Sequence, residues 1–292
     1  MLAAAAMKTG DLVGFTFFIG TMAMFAASVF FYFERQTVSD KWKTSLLISA
    51  LITTIAAAHY MYMREYWSAN FNGTNAGVAS PTEFRYIDWL LTVPLMCVEF
   101  YLLLKAAGAS INMLWRLIGY SVLMLVAGYV GEVSAKLGQP VRGFENFGWG
   151  VISTIGWAGI VYEIFFGEAK QLADGSSDAN VRKAFNLLRG FVLIGWAIYP
   201  IGYMTLPGNV LSNSVELASK MNVIYNIGDA VNKIGFGLIV WNLAKRAKYS
   251  DLNLRRGIFS RVKLGDLRKG IPHFFHPIHP HSAPTLSYAR PP

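Results

Sequence analysis

Asp229 and Lys233 stand four residues apart inside residues 222–245, a run long and apolar enough to cross a bilayer as one helix. Lys233 has 11 residues of that run before it and 12 after it, so at ~1.5 Å of rise per residue its ammonium lies near the membrane midplane. An unpaired ammonium at that depth costs on the order of 3 kcal/mol. Asp229 is one turn away on the same face, roughly 6 Å along the axis, where its carboxylate offsets that cost. An amine withdrawn from water is also a nucleophile toward aldehydes. The pair can therefore hold an aldehyde cofactor as a protonated Schiff base with Asp229 as a counter-ion. An ion pair in an ordinary transporter, structural or at a substrate site, is the other reading, and this helix alone leaves both open.

A second set of polar residues lies in residues 83–104. Arg85, Asp88, Thr92 and Glu99 follow one another at steps of three, four and seven, which puts all four on one stripe of a helix. Asp88 and Glu99 are ~16 Å apart along the axis, so a midplane Schiff base can sit between them. That order supplies a proton acceptor on one side of a switchable carrier and a donor on the other, as in membrane proton relays. Asp88 is expected to be ionised beside Arg85, and Glu99 to hold its proton in apolar surroundings. The competing reading is a set of hydrogen bonds that fix helix packing. His59, in a span that runs the opposite way, falls at the depth of Asp88, where an imidazole would make the two a coupled pair. A lone histidine on an apolar face is more often a satisfied packing residue.

The chain that must position these groups has 292 residues, of which 54% are hydrophobic and only 15% charged, in long apolar runs. This excludes a soluble domain and predicts an all-α membrane protein, with spans at 12–33, 45–66, 83–104, 115–136, 147–167, 184–206 and 222–245. Arg35, Lys41, Lys43, Lys105, Arg116, Lys170, Arg182 and Lys183 fall in alternate connections and the last segment is basic, against Lys8, Lys136, Arg142 and Lys220 on the other side. The positive-inside rule then sets the N-terminus outside and the C-terminus in the cytoplasm. The net charge of +9 is mostly this asymmetry, so it points to anionic lipid as neighbour and not to nucleic acid. The residues ahead of the first span lack the basic start, apolar core and cleavage site of a signal peptide, so the first helix is expected to insert uncleaved. Cys97 is the only cysteine, which excludes an internal disulfide. Asn72-Gly73-Thr74 matches a glycosylation sequon, a pattern frequent by chance.

R-Y-I-D-W-L-L-T-V-P-L from Arg85, G-W-A-I-Y-P-I-G-Y from Gly195, D-x-x-x-K from Asp229 and H-Y-M-Y-M-R from His59 together resemble the microbial (type I) rhodopsins, most closely the proteorhodopsins, over residues 12–245. The resemblance implies a seven-helix bundle in residues 1–245 that binds all-trans retinal on Lys233. Asp88 would be counter-ion and proton acceptor, Asp229 the second counter-ion, Glu99 the cytoplasmic donor, and His59 the partner of Asp88. Trp89, Trp196, Tyr199, Pro200 and Tyr203 match the aromatic box around the polyene. The Asp88, Thr92, Glu99 triple matches the family's outward proton-pump signature, so the resemblance implies a light-driven outward proton pump of the plasma membrane, an ion transporter and not an enzyme. Arg85 would steer release outward. A photosensor of the same fold and a retinal-free secondary transporter are the alternatives. Met96 stands where proteorhodopsins carry an apolar residue when they absorb green and glutamine when they absorb blue, which implies green absorption.

The family pattern also frames what is particular here. Gly150 aligns with a position that is glycine in xanthorhodopsin-like members, where it opens a window from lipid to the retinal ring; a hydroxylated carotenoid antenna and plain close packing are the two readings of it. The helix-one aromatic that in proteorhodopsins reaches a neighbouring subunit is Phe18 here, a ring with no donor, although a homo-oligomer, pentamer or hexamer, is implied by the family. Residues 246–292 read as a basic, then His/Pro-rich cytoplasmic tail without structure. His273, His276, His279 and His281 have metal-like spacing, but the flanking Phe and Pro favour a membrane-skimming segment and no metal is expected.

Overall fold

The computed structural model describes residues 8–71, 80–138, 145–206, 208–213 and 215–269. Among them the ordered elements are helices only: α1 (Leu12–Glu34), α2 (Asp40–Asn70), α3 (Thr82–Leu104), α4 (Ile111–Leu137), α5 (Asn146–Phe165), α6 (Glu168–Gly175), α7 (Ala179–Gly190), α8 (Ile198–Tyr203) and α9 (Val215–Lys269). Seven stretches are long and apolar enough to cross a membrane: Leu12–Thr37, Asp40–Asn70, Thr82–Ala107, Ile111–Lys136, Asn146–Gly175, Ala179–Tyr203 and Lys220–Ser250. These are the seven spans expected, and most run further because charged turns such as Asp40–Lys43 continue a helix that hydropathy alone ends early. Helices are what a bilayer demands, since each satisfies its own backbone.

The ends of the helices follow their local sequences. Asp11 caps α1 by accepting from the Gly14 amide at 2.8 Å, and its carboxylate also takes the Trp67 Nε1 hydrogen bond at 2.8 Å, which ties α1 to α2. Ser110 caps α4 through the Met113 amide at 3.1 Å. Gly108, at φ 94°, makes the turn between α3 and α4, a conformation open to glycine. Arg116 of α4 grips Glu163 and Glu168 at 2.8 to 3.1 Å and so joins α4 to the junction of α5 and α6. Outward faces are apolar: on α1, Leu12, Phe15, Ile19, Met22 and Phe25 are exposed at steps of three and four.

The sixth span is broken, and Pro200 explains where. Proline has no N–H to give the Trp196 carbonyl. That carbonyl accepts instead from the Tyr199 amide at 3.1 Å, and the residues before it, Phe191–Gly195, widen into a π turn in which the Trp196 amide reaches Phe191. Asn232 of α9 closes the defect, donating to the Gly195 carbonyl at 3.0 Å.

The chain divides into two compact units, Met1–Lys248 and Tyr249–Pro292. Helical backbone continues to Lys269, so residues 246–269, expected without structure, are helical. The four tail histidines and the Asn72 sequon lie outside the described residues, as does Arg142.

Candidate functional site: a buried lysine between two carboxylates

α9 brings Lys233 to the centre of the bundle, 3% exposed, with Asp229 one turn before it at 2%. α3 supplies Asp88, fully buried. Lys233 Nζ donates to Asp229 Oδ1 at 2.5 Å and to Asp88 Oδ2 at 2.9 Å. Three charges this deep are tolerable only together: removing one partner of a buried pair leaves an uncompensated charge at a cost of ~3–5 kcal/mol. Trp89 Nε1 at 3.2 Å and the Tyr199 hydroxyl at 3.0 Å also donate to Asp229 Oδ1. Asp229 is thus fixed by its neighbours. Among the described residues the Asp88 carboxylate is held by Lys233 alone, and each carboxylate keeps one buried oxygen with no donor, Asp88 Oδ1 and Asp229 Oδ2.

The side chains of Thr92 and Arg85, on the same α3 stripe, bond elsewhere than to the Asp88 carboxylate. Thr92 returns its hydroxyl to the Asp88 backbone carbonyl at 2.9 Å, not to the carboxylate. Arg85 was expected beside Asp88. Its guanidinium instead donates to Asn226 and Asn222 of α9 at 3.2 to 3.3 Å and stacks on Tyr225 and Phe17. Among the described residues no ion pair joins it to either carboxylate. An arginine near a helix end stretches its long side chain toward that end, and here it finds amides. His59 Nδ1 lies 4.0 Å from Asp88 Oδ1, too far for a hydrogen bond, and 2.9 Å from the Ile55 carbonyl of its own helix.

Glu99, 1% exposed, stands apart from this cluster. Its Oε1 accepts from Ser49 of α2 at 2.5 Å and its Oε2 has no donor. Ser49 was missed in the sequence, although Ser45, Ser49 and Thr53 recur at four-residue steps on α2. Asn222 and Asn226 continue the stripe of Asp229 and Lys233 at steps of four, three and four and were equally legible.

A cavity of about 410 Å³ opens from Lys233 and Asp229, and Trp89, Met96, Trp196, Tyr199, Pro200 and Tyr203 are among its lining. Trp89 meets Tyr199 edge to face with ring centres 4.7 Å apart, and Tyr199 stacks on Tyr225. Gly150 lines it as well. A Cβ there would come within 2.5 Å of the Tyr203 ring, so glycine is required for that ring to lie where it does. An apolar-walled cavity with the Lys233 amine in its lining suits an apolar aldehyde, and a carboxylate 2.9 Å from the nitrogen can take its proton.

Comparison with known proteins agrees with this geometry. Residues 11–247 match the family model of bacteriorhodopsin-like proteins. The chain is 45% identical over 235 residues to the blue-light absorbing proteorhodopsin of Gamma-proteobacterium Hot 75m4, covering 80% of this chain and 86% of that one. It is 43% identical over 240 residues to the green-light absorbing proteorhodopsin of Gamma-proteobacterium EBAC31A08, covering 82% and 88%. Among solved structures it resembles xanthorhodopsin, described as a light-driven ion pump with dual chromophore, at TM-score 0.68 and 32% identity over 82% of this chain and 95% of that one. The chain therefore belongs to the bacteriorhodopsin-like family of seven-helix membrane proteins, whose chromophore is retinal.

Proposed function

We propose that this protein is a light-driven outward proton pump of the plasma membrane, with retinal held on Lys233. The observation that carries the reading is Lys233 Nζ set between Asp88 and Asp229 at the end of an apolar cavity, with a separately buried Glu99 on the same helix as Asp88. The residues suit the cofactor: Trp89, Trp196, Tyr199 and Pro200 offer apolar walls, and the orphaned Asp88 Oδ1 and Asp229 Oδ2 concentrate negative charge at the amine. Retinal joined to Lys233 would supply absorption of visible light and make the proton on Nζ the one that moves. Asp88 accepts that proton, since its carboxylate is within hydrogen-bond reach of Nζ and no other described donor holds it as an anion. Asp229, saturated at Oδ1 by three donors, stays as fixed charge. Glu99 returns a proton to Nζ from the opposite side, and direction follows from the order of the two carboxyl groups. Illuminated cells in weak buffer should acidify their medium and a protonophore should abolish the signal; alkalinisation, or no change in cells that form the pigment, counts against the reading.

Ser49 positions the donor. Glu99→Gln should slow reprotonation of Nζ by roughly 10²-fold, the lower range for a general acid, and Ser49→Ala should shift the same step by less while leaving formation of the pigment intact. A photocycle unchanged in Glu99→Gln removes Glu99 from the donor role. Met96, buried in the cavity wall, supports green absorption.

Two further readings rest on the family. The cavity is also lined by Phe147, Val151, Ile155 and Met204, all exposed toward lipid, which supports a hydroxylated carotenoid lying beside Gly150 as an antenna. A carotenoid band in the action spectrum of transport that Gly150→Phe erases would bear this out; its absence in the unmodified protein leaves Gly150 as a packing residue against Tyr203. A homo-oligomer, pentamer or hexamer, is supported by polar groups on the outer face of α1 and α2, where Ser28 and Thr54 hydrogen-bond at 2.5 Å and His59 is part-exposed.

A further inference from the structure

Glu132 is a carboxylate that the pump cycle above does not use. It sits on α4, partly buried, and its Oε1 accepts from the hydroxyl of Thr82, the first residue of α3. Tyr86 lines the same cavity as Lys233. The nearest fixed charges are those of Glu83 and Lys136, paired at 3.6 Å, and of Arg85, whose field also reaches it.

The same cavity that begins at Lys233 and Asp229 is lined by Glu132, Asn209 and Val210, and Val210 is 76% exposed. Asn209 is 8% exposed, and its Oδ1 is a buried acceptor without a donor. The cavity therefore joins the buried lysine to a polar mouth at the Arg85 end of the bundle, and Glu132 is the titratable group at that mouth.

We propose that Glu132 is the group through which the transported proton leaves. The inference rests on the pump reading and names its exit. In each cycle the Glu132 carboxylic acid gives its proton to water at the mouth beside Asn209 once Asp88 has been neutralised. The resulting carboxylate is refilled from the Asp88 carboxylic acid as the cycle closes. Each turn leaves one proton outside and both carboxyl groups as they began. Thr82 holds the carboxylate in the cavity lining, while Lys136 pairs with Glu83.

The test is flash photolysis of the full retinal-loaded protein in nanodiscs with a water-soluble pH dye. In the unmodified protein the dye should report release soon after Asp88 takes up its proton. Glu132→Gln should delay release roughly tenfold or more, to the recovery of the dark state, and Glu132→Asp should restore the early phase. Dye timing in Glu132→Gln equal to that of the unmodified protein overturns the proposal. Should Glu132→Gln form no pigment, Thr82→Val keeps the carboxylate and removes its donor; a shifted release time supports the exit role and an unshifted one sinks it. Failure of the unmodified protein to release any proton refutes the pump reading itself, which an unaltered Glu132→Gln signal does not.

Discussion

Lys233→Ala should abolish all visible absorbance when retinal is added, while the protein remains inserted in the membrane. Among the described residues Lys233 is the only lysine lining the cavity, so no described neighbouring amine can take its place. The loss is expected to be complete because it removes a covalent bond. The remaining cluster survives the change: Asp88 and Asp229, deprived of their cation, can each be neutralised by binding a proton, which lightens the penalty of stranded buried charge. The measurement is an absorbance spectrum beside an immunoblot of the membrane fraction. A retained visible band in inserted protein would falsify the assignment of Lys233.

Asp88→Asn should lower light-driven transport by about 10²-fold or more, the scale for loss of a proton-transfer group, and should move the pigment to longer wavelength. The colour change follows from the charge. A carboxylate 2.9 Å from Nζ stabilises the ground-state cation more than the excited state, in which positive charge has moved along the polyene. Removing it narrows the gap. Acidification of the unmodified pigment should give the same red shift, because protonated Asp88 is neutral, and alkalinisation should reverse it. Titrations of both proteins provide the check. If Asp88→Asn keeps the acid-induced shift at full size, the titrating group is another residue.

How much of this was legible beforehand depended on charge and on reach. Asp88, Glu99, Asp229 and Lys233 declared themselves because ionisable groups in apolar runs are expensive and so need partners. Their mutual placement followed from helical spacing alone. Arg85 misled, since three residues from Asp88 fixes where the Cα lies and not where a side chain of that length goes; Asn222 and Asn226 on α9 decided that. Ser49 and Thr92 show the same limit for hydroxyls. Within a helix a Ser or Thr commonly turns back to a carbonyl three or four residues earlier. Thr92 does only that, whereas Ser49 bonds both the Ser45 carbonyl and Glu99. Nothing in one strand of sequence separates the two cases. The seven spans were plain, but the break in the sixth was not, because Pro200 marks a kink without saying that a π turn and Asn232 will absorb it.

The pairing of Lys233 with Asp229 inside one helix also bears on how the chain is built. A ribosome delivers the seventh span last, and it must leave the translocon carrying two midplane charges, each disfavoured by ~2.5–3.5 kcal/mol when presented alone. Asp229 Oδ1 is 2.5 Å from Nζ and belongs to the same helix, so the ion pair forms as soon as that turn does. Asp88 arrives by a different route, in the third span and well before its cation exists. The last helix thus enters lipid already self-neutralised, and docking against α3 adds the second carboxylate only when the bundle closes.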